Sequence, residues 1–200
     1  MQENIKPCDI VIPDQFIDRT QQRPLPFFTK GAVAHISMAD PFCKILSQIL
    51  SQEIEKLLNK EKKLHIGGTY LAMEGPAFST KAESNLYRNW GCSIIGMTNH
   101  TEARLAKEAE IAYSSLSMVT DYDCWNENCE SVSVDMVIEN LQENAKFAKS
   151  IISAAARSIS LSRPSSPFHN SLKDALVTPK EYVPEETKSK IQLFTNKYWI

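Results

Sequence analysis

Two aspartates, with one residue between them, lie in the segment MVTDYDCW, residues 118–125. Two carboxylates at this spacing repel each other, and burying them adds a desolvation cost. Residues two apart on a strand point to the same face, so Asp121 and Asp123 can both reach one edge of a ligand. Their repulsion helps to keep one of them protonated, as general acid catalysis at neutral pH requires. The alternative is a solvated acidic loop, which fits the neighbouring Tyr122 and Trp125 less well.

Two other segments, Glu74-Gly75-Pro76 and Met97-Thr98, stand at the predicted ends of strands. In largely parallel α/β sheets, ligands bind at the carboxyl ends of the strands. We therefore expect these two segments and the aspartate pair to converge on one crevice. The alternative is that they are ordinary polar loops between strands and helices, and their spacing alone leaves both interpretations open.

Apolar periodicity predicts strands that alternate with helices. The predicted strands cover residues 9–18, 31–38, 65–74, 92–97 and 111–120. The predicted helices cover residues 41–64, 79–91, 100–110 and 131–158, and two shorter ones cover 168–176 and 185–197. Ser79 is expected to cap the second helix and Gly91 to end it. The alternation predicts an α/β fold with a mostly parallel or mixed central sheet flanked by helices.

The length of 200 residues is typical of one domain, and we expect residues 177–200 to form its C-terminal helical tail. The formal net charge of −2 argues against nucleic-acid and membrane-surface partners. No stretch approaches the roughly 20 apolar residues that a membrane span requires. Five scattered cysteines do not suggest a disulfide framework, and they lack the spacing of a metal site. A cytoplasmic protein without a metal is therefore expected.

Three long motifs resemble the 5′-methylthioadenosine phosphorylases of the trimeric purine nucleoside phosphorylase family. They are DIVIPDQFIDRT (9–20), MEGPAFSTKAESNLYRNWG (73–91) and IIGMTNHTEARLAKEAEIAYSSLSMVTDYDCW (94–125). The resemblance implies a homotrimeric pentosyltransferase that splits the nucleoside with inorganic phosphate. Its products are adenine and 5-methylthioribose 1-phosphate, and it uses neither an organic cofactor nor a metal.

The resemblance also assigns roles to individual residues. Asp121 and Asp123 match the pair that holds the purine, and Tyr122 lies between them; Asp121 is the candidate catalytic residue. Met97 matches the contact to the ribose and Thr98 a phosphate ligand. The remaining assignments concern the base and the 5′ end of the nucleoside: Phe78 packs on the base, Ser79 and Val134 set specificity, and His35 enters the 5′ pocket of an adjacent subunit.

The chemistry of these residue types favours an adenine nucleoside. An adenine amino group needs an acceptor, which Asp121 supplies, whereas a 6-oxopurine needs a donor such as asparagine. The related 6-oxopurine enzymes resemble one another in having glutamate where Ser79 stands and histidine where Val134 stands. An apolar Val134 suits a 5′-methylthio group, although it also lies on the apolar stripe of a predicted helix. A 6-oxopurine nucleoside phosphorylase is the weaker alternative.

The sequence departs from the family pattern at its beginning. The family has a Gly-rich phosphate loop, an Arg-His phosphate pair and a further threonine before the motif that starts at Asp9, and none of these is present. We therefore expect an N-terminally truncated phosphorylase domain that shows negligible phosphorolysis by itself, and a catalytically inactive C-terminal fragment is an alternative. A smaller departure is Cys8, where the family usually has glycine.

Overall fold

The structure, a computed structural model, describes residues 1–24, 26–126 and 134–199, and only the backbone of residues 134–137 and 139. Within these ranges, strands alternate with helices, so the α/β prediction is confirmed. The strands are β1 (Ile10–Ile12), β2 (Gln15–Asp18), β3 (Leu64–Ile66), β4 (Thr69–Ala72), β5 (Cys92–Gly96) and β6 (Ser117–Met118). The helices are α1 (Lys44–Leu57), α2 (Lys81–Asn89), α3 (His100–Glu108), α4 (Val134–Ser162) and α5 (Glu185–Thr195).

The described strands form two three-stranded sheets rather than one central sheet. The first has the order β3-β1-β6 and the second the order β2-β4-β5. Three of the strand pairs are parallel, and the pair of β1 with β6 is antiparallel. Pro13-Asp14 separates β1 from β2, and Gly67-Gly68 separates β3 from β4. The sequence therefore predicted two extended runs correctly but did not show that each run crosses from one sheet to the other.

Strand β1 lies at the centre of the core because both of its faces are apolar. Ile10 and Ile12 pack with Ile54 of α1 and Ile151 of α4. Val11, on the opposite face of β1, packs with a second cluster that joins it to the second sheet; its buried members are Ile5, Tyr70, Ala72 and Ile94. Burial of one such side chain contributes about 1.5–3 kcal/mol. The first sheet is thus packed on both faces. Because Val11 contacts β4 and β5 of the second sheet, their carboxyl ends are held in place relative to the first sheet.

Two predicted strands are wrong in whole or in part. Residues 31–38 contain no strand and form one isolated bridge, from Ala34 to Leu176. This segment instead contributes Ala32 to a small apolar cluster with the C-terminal region, which includes Leu172 and Ile191. Of residues 111–120, only β6 is extended. Apart from the buried Ala32, alternation of apolar residues here marks half-buried or exposed chain rather than core, and hydrogen-bonding partners decide whether such a segment becomes a strand.

The N-cap of helix α2 lies one residue later than predicted, at Thr80 instead of Ser79. The Thr80 side chain accepts from the backbone N–H of Glu83, and the Glu83 side chain accepts from the backbone of Thr80. This reciprocal arrangement is a capping box. At the other end, Gly91 adopts a φ of 80°, which suits a glycine that ends a helix.

The C-terminal region packs on the body of the protein through several contacts. Tyr198 and Lys197 both contact the Glu110 carboxylate, and the backbone N–H of Leu172 donates to it at 3.0 Å. Burial raises the pKa of Glu110, but these hydrogen bonds outweigh it and hold the pKa below its ordinary value. A single domain with a tail over 177–200 stays a prediction.

Neither a membrane span nor a metal cluster occurs in the described ranges. None of the helices there combines the length and apolarity needed to cross a bilayer. No group of three or more His, Cys, Asp or Glu side chains in those same ranges is arranged to hold a metal ion. Four cysteines are free thiols, namely Cys8, Cys43, Cys92 and Cys124. Cys129 lies outside the described residues.

Replacing Cys8 by glycine is expected to stabilise the protein. Cys8 has a φ of 69°, in the left-handed region that favours glycine. Relief of this strain, less the extra chain entropy of glycine, predicts a gain of about 0.5–1 kcal/mol in the free energy of unfolding. Urea denaturation measures it. The same change at Cys124, which is half-buried and outside the left-handed region, is expected to lower stability. A lower stability for Cys8→Gly than for the parent chain would contradict the argument.

Candidate functional site

A cavity of about 640 Å³ opens beside the carboxyl end of β5. Its volume lies in the range of pockets that hold small molecules. Four of the residues expected to meet at strand ends line it, namely Met97, Thr98, Asp121 and Asp123. Hydroxyl groups and apolar side chains make up much of the rest of the wall, which includes Tyr70, Tyr113, Ser115, Ser117, Ile94, Met118 and Leu141. The predicted convergence on one crevice is therefore present for two of the three segments.

The third segment supports the cavity from behind. Gly75 has a φ of 71°, and a Cβ placed on it would lie 2.6 Å from the Met97 sulfur. A side chain at this position would therefore displace Met97. Glu74 and Pro76 are not among the residues that line the cavity.

The chain turns sharply directly after Thr98. Asn99 has φ 81° and ψ −53°, and the backbone N–H of His100 donates to the Thr98 carbonyl at 3.0 Å. These values describe a classic γ-turn, which is a rare and strained conformation. The buried Asn99 side chain accepts a hydrogen bond of 3.0 Å from the Tyr113 hydroxyl. Burial raises the pKa of Tyr113 to about 12, so this hydroxyl keeps its proton at neutral pH.

Arg23 joins the ends of β4 and β5. Its Nη2 atom donates to the carbonyls of Glu74 at 2.9 Å, Met97 at 3.0 Å and Met73 at 3.3 Å. The Glu74 carboxylate lies 3.6 Å from the Arg23 Nε atom and also accepts from the backbone N–H groups of Gln21 and Gln22. These backbone donors, with the charge of Arg23, hold the pKa of Glu74 below its ordinary value. One guanidinium thus fixes the backbone on both sides of the Gly75–Met97 contact.

The aspartate pair forms a turn as well as a polar wall. Asp121 Oδ1 accepts from the backbone N–H of Asp123 at 2.8 Å, and its Oδ2 accepts from the Thr120 hydroxyl at 2.6 Å. A side chain that accepts from the N–H two residues later is an Asx-turn. Asp123 has a φ of 60° and accepts from the Ser84 hydroxyl at 2.7 Å. The segment is therefore not extended, and the turn, rather than strand alternation, brings both carboxylates to the cavity.

Other residues assigned by the resemblance lie outside the cavity wall. Phe78 is 68% exposed. Ser79 is buried next to the acidic turn, where its carbonyl accepts from the Cys124 thiol at 3.2 Å. The Tyr122 ring lies edge-on against Trp125. His35 is exposed on the segment that packs with the C-terminal region. The side chain of Val134 lies outside the described residues.

In the described part of the chain, the charged side chains of the cavity wall are all acidic. Among the lining residues that the structure describes are three carboxylates, from Glu102, Asp121 and Asp123, and no lysine or arginine. The wall thus offers carboxylate acceptors, hydroxyl groups that can donate or accept, and apolar surface, which suit a neutral ligand with N–H donors. An anion at this site needs positive charge from a source other than the lining side chains.

Several residues of the site were missed at the level of sequence. Arg23, Tyr70 and Ser84 bond to the predicted residues Met97, Thr98 and Asp123. The others hold neighbouring residues: Tyr113 donates to Asn99, and Asn140 and Asn144 donate to the carbonyls of Thr120 and Val119. Most act through backbone carbonyls or through one hydroxyl, and such contacts leave no spacing pattern. Asn144 alone carried a signal, because a polar residue interrupts the apolar stripe of α4 at that position.

Comparison with known proteins gives one consistent result. A family model described as the phosphorylase superfamily matches residues 1–157. The S-methyl-5'-thioadenosine phosphorylase of Prochlorococcus marinus is 63% identical over 199 residues, and that of Thermosynechococcus vestitus is 52% identical over 198 residues. These matches cover 100% and 99% of this chain. The chain spans 63% and 68% of the length of those two relatives.

Solved structures agree with this result. A methylthioadenosine phosphorylase from an antarctic soil metagenomic library superposes with a TM-score of 0.91 at 48% identity. The match covers 96% of this chain and 67% of that one. The methylthioadenosine phosphorylase of Schistosoma mansoni in complex with tubercidin gives a TM-score of 0.73 at 33% identity, over 80% of this chain and 62% of that one. From the family match and from these relatives, we conclude that the chain belongs to the phosphorylase superfamily.

Proposed function

We propose that this chain forms the nucleoside-binding part of an enzyme that splits 5′-methylthioadenosine with inorganic phosphate. In this reaction the bond between the ribose C1′ and the purine N9 breaks, and a phosphate oxygen bonds to C1′. The products are adenine, which leaves with a proton, and 5-methylthioribose 1-phosphate. The observation that supports the proposal most directly is that Met97, Thr98, Asp121 and Asp123 line one cavity. The chain is also similar over its full length to an S-methyl-5'-thioadenosine phosphorylase.

Recognition of the base is assigned to the acidic turn. Each oxygen of Asp121 accepts one hydrogen bond from the chain, and a carboxylate oxygen has room for another. One oxygen can therefore accept from the adenine amino group. A protonated Asp121 can also donate to the purine N7 as the bond to the sugar breaks, which is the role of a general acid. Asp123, Tyr122 and Ser79 are proposed to complete the surroundings of the base, with Phe78 packing on its face.

The sugar and its 5′ substituent are assigned to the apolar part of the wall. Met97, fixed between Gly75 and Arg23, is proposed to contact the ribose. Leu141 lines the same cavity from α4, and Val134 begins that helix. An apolar surface at the 5′ end favours a methylthio group over a hydroxyl, because an unpaired buried hydroxyl costs about 1–3 kcal/mol.

Phosphate is assigned to the neighbourhood of Thr98. Since the described wall carries three carboxylates and no basic side chain, we propose that the cationic ligands of phosphate come from outside this cavity wall. We further propose a cytoplasmic homotrimer that uses neither an organic cofactor nor a metal and has no nucleic-acid or membrane partner. The exposure of His35 suits a residue that enters the site of an adjacent subunit.

Base binding and phosphorolysis test the proposal separately. Calorimetric titration of the 200-residue chain is expected to give tighter binding of adenine than of hypoxanthine. A chimera that joins this chain to the part of the Prochlorococcus enzyme outside the match is expected to release adenine from 5′-methylthioadenosine only when phosphate is present. Tighter binding of hypoxanthine would favour the 6-oxopurine alternative. Binding of neither base by the chain or the chimera would contradict the assignment of the site.

A further inference from the structure

We propose that Asn140 and Asn144, the asparagine pair of α4, are positioning residues that hold the Asp121 turn in place for base recognition. This inference rests on the proposed function of Asp121. Nothing in the resemblance assigns a role to either asparagine. Residues four apart share one face of a helix, so both side chains of the pair point toward the same neighbouring segment.

That segment is the one that leads from β6 into the acidic turn. Asn140 Nδ2 donates to the Thr120 carbonyl at 2.8 Å, and Asn144 Nδ2 donates to the Val119 carbonyl at 3.1 Å. Strand β6 ends at Met118, so these residues are already beyond the strand. Backbone pairing continues as far as Val119, whose N–H donates to the Asp9 carbonyl at 3.0 Å, and the side-chain amides of α4 reinforce the chain from there into the acidic turn.

The contacts reach Asp121 within one residue. Thr120 is held through its carbonyl by Asn140, and its hydroxyl donates to Asp121 Oδ2 at 2.6 Å. Asp121 in turn accepts the backbone N–H of Asp123. A shift of the Thr120 backbone would thus move the oxygen that is proposed to meet the purine. Val119 is tied a second time, because its carbonyl also accepts from the backbone N–H of Cys8 at 2.8 Å.

Asn144 occupies a place where packing alone would favour an apolar residue. It is 1% exposed, and its Oδ1 atom has no hydrogen-bond partner among the described residues. A buried polar atom without a partner destabilises the folded state, because it has lost its bonds to water without replacement. Among the described residues, the hydrogen bond of this side chain to the Val119 carbonyl offsets the cost, and it supports the segment before the acidic turn. Asn144 is thus less favourable for stability than an apolar residue would be, but its hydrogen bond supports the site.

Hydrogen exchange tests the positioning directly, because the Asp123 amide reports on its bond to Asp121. In Asn140→Ala, protection of the Asp123 amide is expected to fall at least tenfold more than that of the Leu71 amide in the core strand β4. The matched control is Gln142→Ala, which changes an exposed amide on the same helix. It is expected to leave the ratio of the Asp123 and Leu71 protection factors unchanged. Asn144→Ala is expected to act in the same direction. An unchanged ratio in Asn140→Ala, which is half-buried and therefore expected to fold, would overturn the inference.

Base selectivity separates this role from a merely structural one. The ratio of the dissociation constants for hypoxanthine and adenine is expected to fall at least threefold in Asn140→Ala and to stay constant in Gln142→Ala. A loss of Asp123 protection with no change in this ratio would make Asn140 structural and overturn its part in recognition. If the parent chain binds neither base but Asn140→Ala still loses protection of the Asp123 amide, the positioning role is retained and the proposed function is contradicted. If Asn140→Ala binds adenine normally and the protection of its Asp123 amide is unchanged, the proposed function is retained and the positioning role of Asn140 is overturned.

Discussion

Asp121→Asn is expected to weaken adenine binding by about tenfold to a hundredfold, while hypoxanthine binding falls less or rises. The substitution is tolerated by the turn, because the remaining oxygen can still accept from the Asp123 N–H and the new amide can donate to the Thr120 hydroxyl. What changes is the group offered to the purine. An amide N–H opposes the adenine amino group but can pair with the O6 atom of hypoxanthine. A mismatched polar partner in a closed site leaves buried groups unpaired, which is why discrimination is strong.

Calorimetry of both bases against the parent chain and the variant measures this effect without requiring turnover. In any form of the enzyme with measurable activity, kcat/KM for 5′-methylthioadenosine is expected to fall by a similar factor, since the variant also loses the candidate proton donor. Asp174→Asn makes the same chemical change at an exposed aspartate and should leave both affinities as they are. If the affinity ratio of the two bases does not move in Asp121→Asn, this carboxylate does not recognise the base.

Arg23→Met is expected to lower the free energy of unfolding by about 2–3 kcal/mol and to weaken 5′-methylthioadenosine binding by more than tenfold. Methionine keeps the apolar stem but removes the donor shared by the carbonyls of Met73, Glu74 and Met97. Hydrogen bonds from a charged donor contribute about 1.5–3 kcal/mol, and the unpaired carbonyls add to the loss. Because the Met97 carbonyl directly precedes Thr98, relaxation of the backbone there displaces both proposed ligand contacts.

Urea denaturation and calorimetry on the same samples separate stability from binding. Arg23→Lys is expected to recover part of both, because an ammonium group can donate to these carbonyls but lacks the planar geometry of guanidinium. Arg19→Met, an exposed arginine over the Trp90 ring, should change stability little and binding not at all. Loss of stability with unchanged affinity would mean that Arg23 supports the fold alone and does not position the site.

The elements of the fold were largely predictable because their signals are local. The long apolar stripe of α4, the capping residues before α2 and the β-branched residues of β1 and β5 all depend on neighbours in sequence. The boundaries were less predictable, since Thr80 rather than Ser79 caps α2. The segment 31–38 has the composition of a strand but no strand partner within the described residues. A strand needs a neighbour in space, and that neighbour is not written in its own pattern.

The candidate site divides in the same way. Residue order alone is enough to place particular side chains where strands end, namely Met97 and Thr98 after β5 and the two aspartates beyond β6. How these side chains meet depends on the folded chain. Asp121 closes a turn onto Asp123, Arg23 joins two strand ends through carbonyls, and the asparagine pair of α4 holds the backbone before the turn. Each of these contacts ends on a backbone atom that every residue possesses. Side-chain identity therefore limits the possible chemistry of a site, whereas its geometry depends on where the folded chain brings identical backbone groups within reach.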